Sequence, residues 1–270
     1  PWVVYQGGRA GAYCDIYAYD TGNGLVKRIT NNADPGDGED WNPRVDNSRV
    51  VWEKHVPGNQ ARSGIYFYDL NGKTAQLPAL LLTGNDYHDP DIWGDYVVCV
   101  KDAASGGGSE IILHNLKTQA SRSIASSEKN NERPRIDSGR VVWSSGDAPV
   151  ASWYPWSTYQ IKLYDIATGK VTELTDSETG NSDPSIDGDI VVWQQREPSG
   201  IMVHDLSTEE TQEFAVSGEL LEAPDVDGDI VAFFGSKGLY YVRLGSAEYT
   251  PFPDVPIGHP YLKAIAEMSM

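Results

Sequence analysis

The chain has 270 residues, a formal net charge of −18, and 40% hydrophobic and 22% charged side chains, with 27 glycines and 16 prolines. This is the composition of a turn-rich folded domain, and it excludes disordered and collagen-like chains. Asp and Glu number 39 against 21 Lys and Arg with no basic block, which excludes nucleic acid as a partner, and the longest apolar run is about half a membrane span, too short for a transmembrane helix.

In chain order, Trp2-Val3-Val4-Tyr5 reads as a strand and DIYAYD at 15–20 as the next one. Around Pro43 comes NPRVDNSRVVWEK, which recurs as DPDIWGDYVVCVK from Asp89, RPRIDSGRVVWSS from Arg133, DPSIDGDIVVWQQ from Asp183 and APDVDGDIVAFFG from Ala223. The prolines at 43, 90, 134, 184, 224 and 260 are spaced by 47, 44, 50, 40 and 36 residues. A second block follows each copy: GIYFYDL at 64–70, EIILHNL at 110–116, QIKLYDI at 160–166, GIMVHDL at 200–206 and GLYYVRL at 238–244.

Each unit reads as four strands. The first is a short extended segment beginning at the proline, where a strand tolerates a missing N–H. Asp187-Gly188 and Asp227-Gly228 read as two-residue hairpin turns. A β-branched and aromatic second strand follows, such as Ile190 to Trp193, then the IYxYDL-type third strand and a weaker fourth such as Val171 to Leu174. No helical periodicity separates these segments.

Units of four antiparallel strands repeated at this spacing predict an all-β, six-bladed β-propeller. One domain spans 1–270, with blades starting near Pro43, Pro90, Pro134, Pro184, Pro224 and Pro260. The opening strand lacks a first strand and His259-Pro260-Tyr261-Leu262 lacks a second. The C-terminal strand is therefore expected to pair with the N-terminal blade, residues 1–35 completing the last blade and closing the ring. Cys14 and Cys99 then fall in non-adjacent blades, beyond bridging distance, and are expected to be free thiols. No charged-then-apolar leader opens the chain, and no N-x-S/T acceptor is present.

The P-x-(I/V)-D-G-D-x-V-V-W and I-Y-x-Y-D-L-x-T-G strings resemble those of the TolB-like six-bladed propellers, and look closest to repeats of archaeal and bacterial cell-surface proteins. The resemblance spans essentially the whole chain. It implies an extracellular, cell-surface or periplasmic setting and a role as a protein-binding or surface-layer module, with pectin-degrading lyases among the relatives. Cys99 and Phe233 depart from the usual Trp, and Arg243 from the usual Asp.

Residues at equivalent repeat positions read as scaffold: Tyr5, Trp52, Trp143, Trp193 and Phe233 are expected to fill the space between sheets, and Asp20, Asp69, Asp165 and Asp205 to bond their own turns. Function is expected where the repeats differ. Asn42, Asp89, Arg133, Asp183, Ala223 and His259 each precede a blade's proline and are expected to ring the channel mouth, with Trp41, His88 and Glu132 beside them. Carboxylate, amide and imidazole groups could there hold a cation or small polar ligand; the competing reading is turn capping. On the same face, Trp153, Tyr154 and Trp156 lie in the longest loop, suited to stacking on a sugar or to a protein contact. Lys54, His55, Arg62 and Gln194 to Glu197 add polar groups there. Asp37, Glu39 and Asp40 lie in a dense acidic stretch that could chelate calcium, or form only a solvated loop.

No nucleophile-elbow, zinc-protease or phosphate-loop motif occurs. The sequence therefore points to a non-enzymatic propeller that binds a protein or a glycan, with self-assembly among the partnerships allowed. The alternative is a lyase on acidic polysaccharide, which needs a base and a cation at the channel mouth. The acidic balance disfavours a polyanionic substrate.

Overall fold

The computed structural model describes residues 2–8, 14–32, 34–72, 77–104, 107–147, 159–176, 179–215, 219–236, 238–244 and 249–251. They form six small antiparallel sheets, five of four strands and one of three, each built from strands consecutive in sequence. The sheets are the blades of a six-bladed β-propeller. Blade 1 has its inner strand at Glu39–Asp46 and its second at Arg49–His55. The corresponding pairs are Tyr87–Trp93 and Tyr96–Asp102 in blade 2, and Asn130–Asp137 and Arg140–Gly146 in blade 3. Blade 4 has Asn181–Asp187 and Ile190–Gln195, and blade 5 has Glu222–Asp227 and Ile230–Gly235. Blade 6 is the three-stranded sheet of Trp2–Gly7, Asp15–Asp20 and Val26–Arg28. His259 to Leu262, expected to close the ring, lie outside the described residues.

In blades 1 to 4 the second strands are buried on both faces, so they read as continuous apolar runs rather than alternating ones. Val50 and Trp52 pack against Ile16 and Ala18 of blade 6, whereas Val51 packs against Val97 and Cys99 of blade 2. The same alternation joins blades 2 and 3, 3 and 4, and 4 and 5. Each hydrophobic core therefore belongs to two blades. Cys14 and Cys99 are both free, with the Cys99 thiol fully buried.

Two local expectations are corrected. Pro43, Pro90, Pro134, Pro184 and Pro224 do not begin the inner strands but sit inside them. The register with the second strand shifts between Trp41 and Arg44, His88 and Asp91, Glu132 and Arg135, Ser182 and Ser185, and Glu222 and Asp225. Such a bulge removes the proline from the ladder, so its missing N–H costs no pairing. The turn of blade 4 is likewise Gly188-Asp189, because Asp187 still pairs with Ile190 as the last strand residue. Gly188 takes φ 55°, which a glycine adopts without a Cβ penalty. The Asp187 side chain is thereby released to reach the next blade.

By contrast, the third-strand ends behave as read. The carboxylates of Asp20, Asp69, Asp165 and Asp205 accept N–H bonds from Gly22, Asn71, Thr168 and Ser207 at 2.7–3.0 Å.

Candidate functional site: the channel mouth

The bulge gives the mouth its geometry. Asn42, Asp89, Arg133, Asp183 and Ala223, each directly before its proline, all take φ between 47° and 54°. This left-handed conformation is unfavourable for side chains other than Gly. Its recurrence at an alanine marks it as a property of the blade. Five inner strands thus repeat one backbone while presenting an amide, two carboxylates, a guanidinium and a methyl group.

Contacts run between neighbouring blades. The Asn42 N–H donates to Gln6 Oε1 of blade 6 at 3.2 Å, and Asn42 Nδ2 donates to Asp89 Oδ1 at 3.2 Å and to Glu53 Oε1 at 3.1 Å. The Asp89 N–H donates to Glu53 Oε2 at 2.8 Å. His88 lies between two carboxylates, with Nδ1 3.5 Å from Asp89 Oδ2 and Nε2 3.3 Å from Asp102 Oδ1. Between blades 3 and 4, Arg133 and Asp183 form an ion pair.

The electrostatics follow from burial and crowding. Burial alone would push the His88 imidazole down, but Asp89 and Asp102 outweigh it and carry it up to about 9. Burial likewise opposes ionisation of Asp89, yet His88, Arg135 and Arg133 hold its carboxyl below the usual range. Glu53 is raised, first by burial and also by the Asp89 charge, against the Asp89 N–H and His88.

Below the mouth, the channel is a cavity of about 210 Å³ whose lining includes Arg44, Asp91, Arg135, Ser185 and Asp225. Burial, together with the neighbouring Arg44, pushes the Arg135 guanidinium down to about 10. Asp91 is raised by burial although both arginines oppose the rise.

The structure therefore brings together Asn42, His88 and Asp89, and separately Arg133 and Asp183. Trp153, Tyr154, Trp156 and His259 lie outside the described residues. The acidic stretch is drawn into local structure. Asp40 is fully buried and accepts from Trp52 Nε1 at 2.8 Å, Asn32 Nδ2 at 2.6 Å and Lys54 Nζ at 3.3 Å. Asp37 accepts the Asp34 N–H at 3.1 Å and lies 3.9 Å from Arg62.

Glu53 and Asp102 were not among the sequence candidates. A signal for Glu53 exists: it is the acid in a row occupied by Val100, Ser144, Gln194 and Phe234 in blades 2 to 5. Asp102 ends its strand with no pattern to mark it.

Neither a family model nor a curated protein matches the sequence. Solved structures do. The propeller domain of the Trilobed protease from Pyrococcus furiosus has a TM-score of 0.66 at 11% identity, over 93% of this chain and 79% of that one. TolB from Acinetobacter baumannii has a TM-score of 0.57 at 14% identity, over 92% of this chain and 65% of that one. The shared feature is the β-propeller fold. A puromycin-hydrolyzing peptidase from Mycobacterium tuberculosis aligns with a TM-score of 0.65 at 15% identity over 92% of this chain. This chain spans only 44% of that peptidase. At these identities the likeness shows the propeller fold and not the activity. Among the described residues, no helix is long and apolar enough to cross a membrane.

Proposed function

We propose that this propeller is a binding module that takes a protein or glycan partner on its channel-mouth face. One observation carries the reading: five blades repeat the same strained bulge at the mouth but fill it with Asn42, Asp89, Arg133, Asp183 and Ala223. A repeated backbone holding unlike side chains is how a rigid scaffold displays a recognition surface. The surface-protein look of the repeats adds an extracellular, cell-surface or periplasmic setting to this reading.

Binding is favoured over lyase chemistry by the state of the polar groups. A uronate lyase needs a base and a cation for the substrate carboxylate. His88 is held between the Asp89 and Asp102 carboxylates, and Arg133 is already engaged by Asp183.

A glycan array and a displayed peptide library, probed with the purified protein, test this. Binding of the strongest ligand is expected to fall about tenfold or more in an Arg133→Ala/Asp183→Ala variant, the size of a lost charged anchor. It should stay unchanged in an Asp229→Ala variant at the opposite end of the channel. The reverse pattern overturns the reading, as does unsaturated product released from uronate polysaccharides.

A further inference from the structure

We propose that Glu53, His88 and Asp89 form a divalent-metal site of the Zn²⁺ type at the junction of blades 1 and 2. Among the described residues, these three form the group of His, Cys, Asp or Glu side chains whose ligand atoms all lie within 4.8 Å of one another.

Three features distinguish the group from an ordinary ion pair. The first is spacing. His88 Nδ1 and Asp89 Oδ2 are 3.5 Å apart, beyond a good N–H···O hydrogen bond. Two atoms bound tetrahedrally to one ion at about 2.0–2.1 Å stand about 3.4 Å apart. The second is the support behind the histidine. Asp102 lies 3.3 Å from the other ring nitrogen, Nε2. A carboxylate there accepts a hydrogen bond from Nε2–H, so that an ion displacing the Nδ1 proton finds that nitrogen aimed at it, the outer-shell arrangement of metal-bound histidines. The third is the support of the two acids. Asn42 Nδ2 donates to an oxygen of each, and the Asp89 N–H holds the other Glu53 oxygen.

The site rests on strands rather than loops, which fixes ligand positions closely. Two carboxylates side by side, with Glu53 largely buried, repel each other, and a divalent ion relieves that repulsion.

The ligand set chooses the metal. One imidazole and two carboxylates leave a fourth position open, as in zinc sites with three protein ligands. Calcium wants six to eight oxygens and magnesium an oxygen octahedron, which a histidine-centred trio does not supply. The acidic stretch around Asp37 offers no comparable site, because Asp40 is consumed by Trp52, Lys54 and Asn32. The inference stands apart from the binding role, since the ion can occupy the mouth whether or not a partner docks there.

Calorimetric titration of the chelator-treated protein with ZnCl₂, and in parallel with CaCl₂ and MgCl₂, tests it. One zinc per chain is expected, with calcium and magnesium at least about a hundredfold weaker. His88→Gln, at a partly exposed position, should abolish zinc binding while leaving the melting temperature of the metal-free protein near that of the parent. Asp102 is a positioning residue: Asp102→Asn should weaken zinc by about tenfold to a hundredfold. That variant should also keep the visible Co²⁺ absorption of a site with one nitrogen and the same carboxylates. Absence of zinc heat, zinc binding that survives His88→Gln, or calcium binding as tight as zinc each overturns the proposal. The first would mean that His88 is simply an imidazolium shared by Asp89 and Asp102.

Discussion

Trp52, Trp143 and Trp193 each donate their indole N–H to a buried acceptor on the inner strand twelve residues earlier: Asp40, Asn131 and Asn181, at 2.8–3.0 Å. Where the tryptophan is replaced, so is the acceptor. Cys99 pairs in sequence with Tyr87, and Phe233 with Leu221, and neither Cys99 nor Phe233 brings an indole N–H to satisfy. The reason is energetic, since a buried donor without a partner costs about 1–3 kcal/mol. Asn181→Leu is therefore expected to destabilise the protein by about that amount in urea unfolding. Trp193→Phe added to it should recreate the Phe233/Leu221 pair of blade 5. The double variant should then lose clearly less than the sum of the two single changes. Simple additivity would count against the pairing.

Between blades, the inner-strand ends act as latches. Asp46, Asp137 and Asp187 accept the backbone N–H of Gly94, Gly188 and Gly228 in the next blade at 2.6–2.7 Å. Arg49 and Arg140 reinforce two of these turns through Asp95 and Asp189. Blade 2 carries Trp93 at the latch position, and its side chain packs against the hydrophobic core shared by blades 2 and 3 instead. Asp46→Ala should cost about 1.5–3 kcal/mol, as expected for a hydrogen bond to a charged group, read as a lower urea midpoint. Asp227 has the same place in blade 5 but makes no such bond among the described residues. Burial, then Asp187, Asp225 and Asp137, push its pKa above 3.8. The native state therefore holds this proton more tightly than the unfolded chain does. Ionised Asp227 is a penalty at neutral pH that is relieved as pH falls through its folded pKa towards 3.8. Asp227→Asn should raise the melting temperature at pH 7 and flatten the gain seen on mild acidification. A lower melting temperature at pH 7 would refute this.

At the scale of the whole molecule, shared cores tie the blades into one cooperative unit, because no blade buries both of its faces alone. Cys99 reports on this. It lies fully buried between blades 1 and 2 with its thiol raised by burial, whereas Cys14 is partly exposed and less strongly shielded. A thiol reagent should modify Cys14 in the native protein and Cys99 only across the urea unfolding transition. Rapid labelling of Cys99 without denaturant would show that the blade 1–blade 2 contact opens by itself.

The six-unit architecture, the scaffold tryptophans and the carboxylates that close the third-strand turns were legible because each repeats at a fixed spacing and acts on neighbours close in sequence. The place of Asn42, Asp89, Arg133 and Asp183 before the prolines was legible for the same reason. Their partners were not. Glu53 stands out only as the acid in its row, with nothing to say what it meets, and Asp102 looks like an ordinary strand end, until the propeller sets blade 1 against blade 2. The Asp-Gly pairs also read as complete turns, although Asp187 belongs to its strand and bonds the following blade. Repetition writes local backbone and blade number into the chain itself. Contacts across blades join residues about 40–50 positions apart through a bulge and a register shift, so only the assembled ring determines which side chains meet.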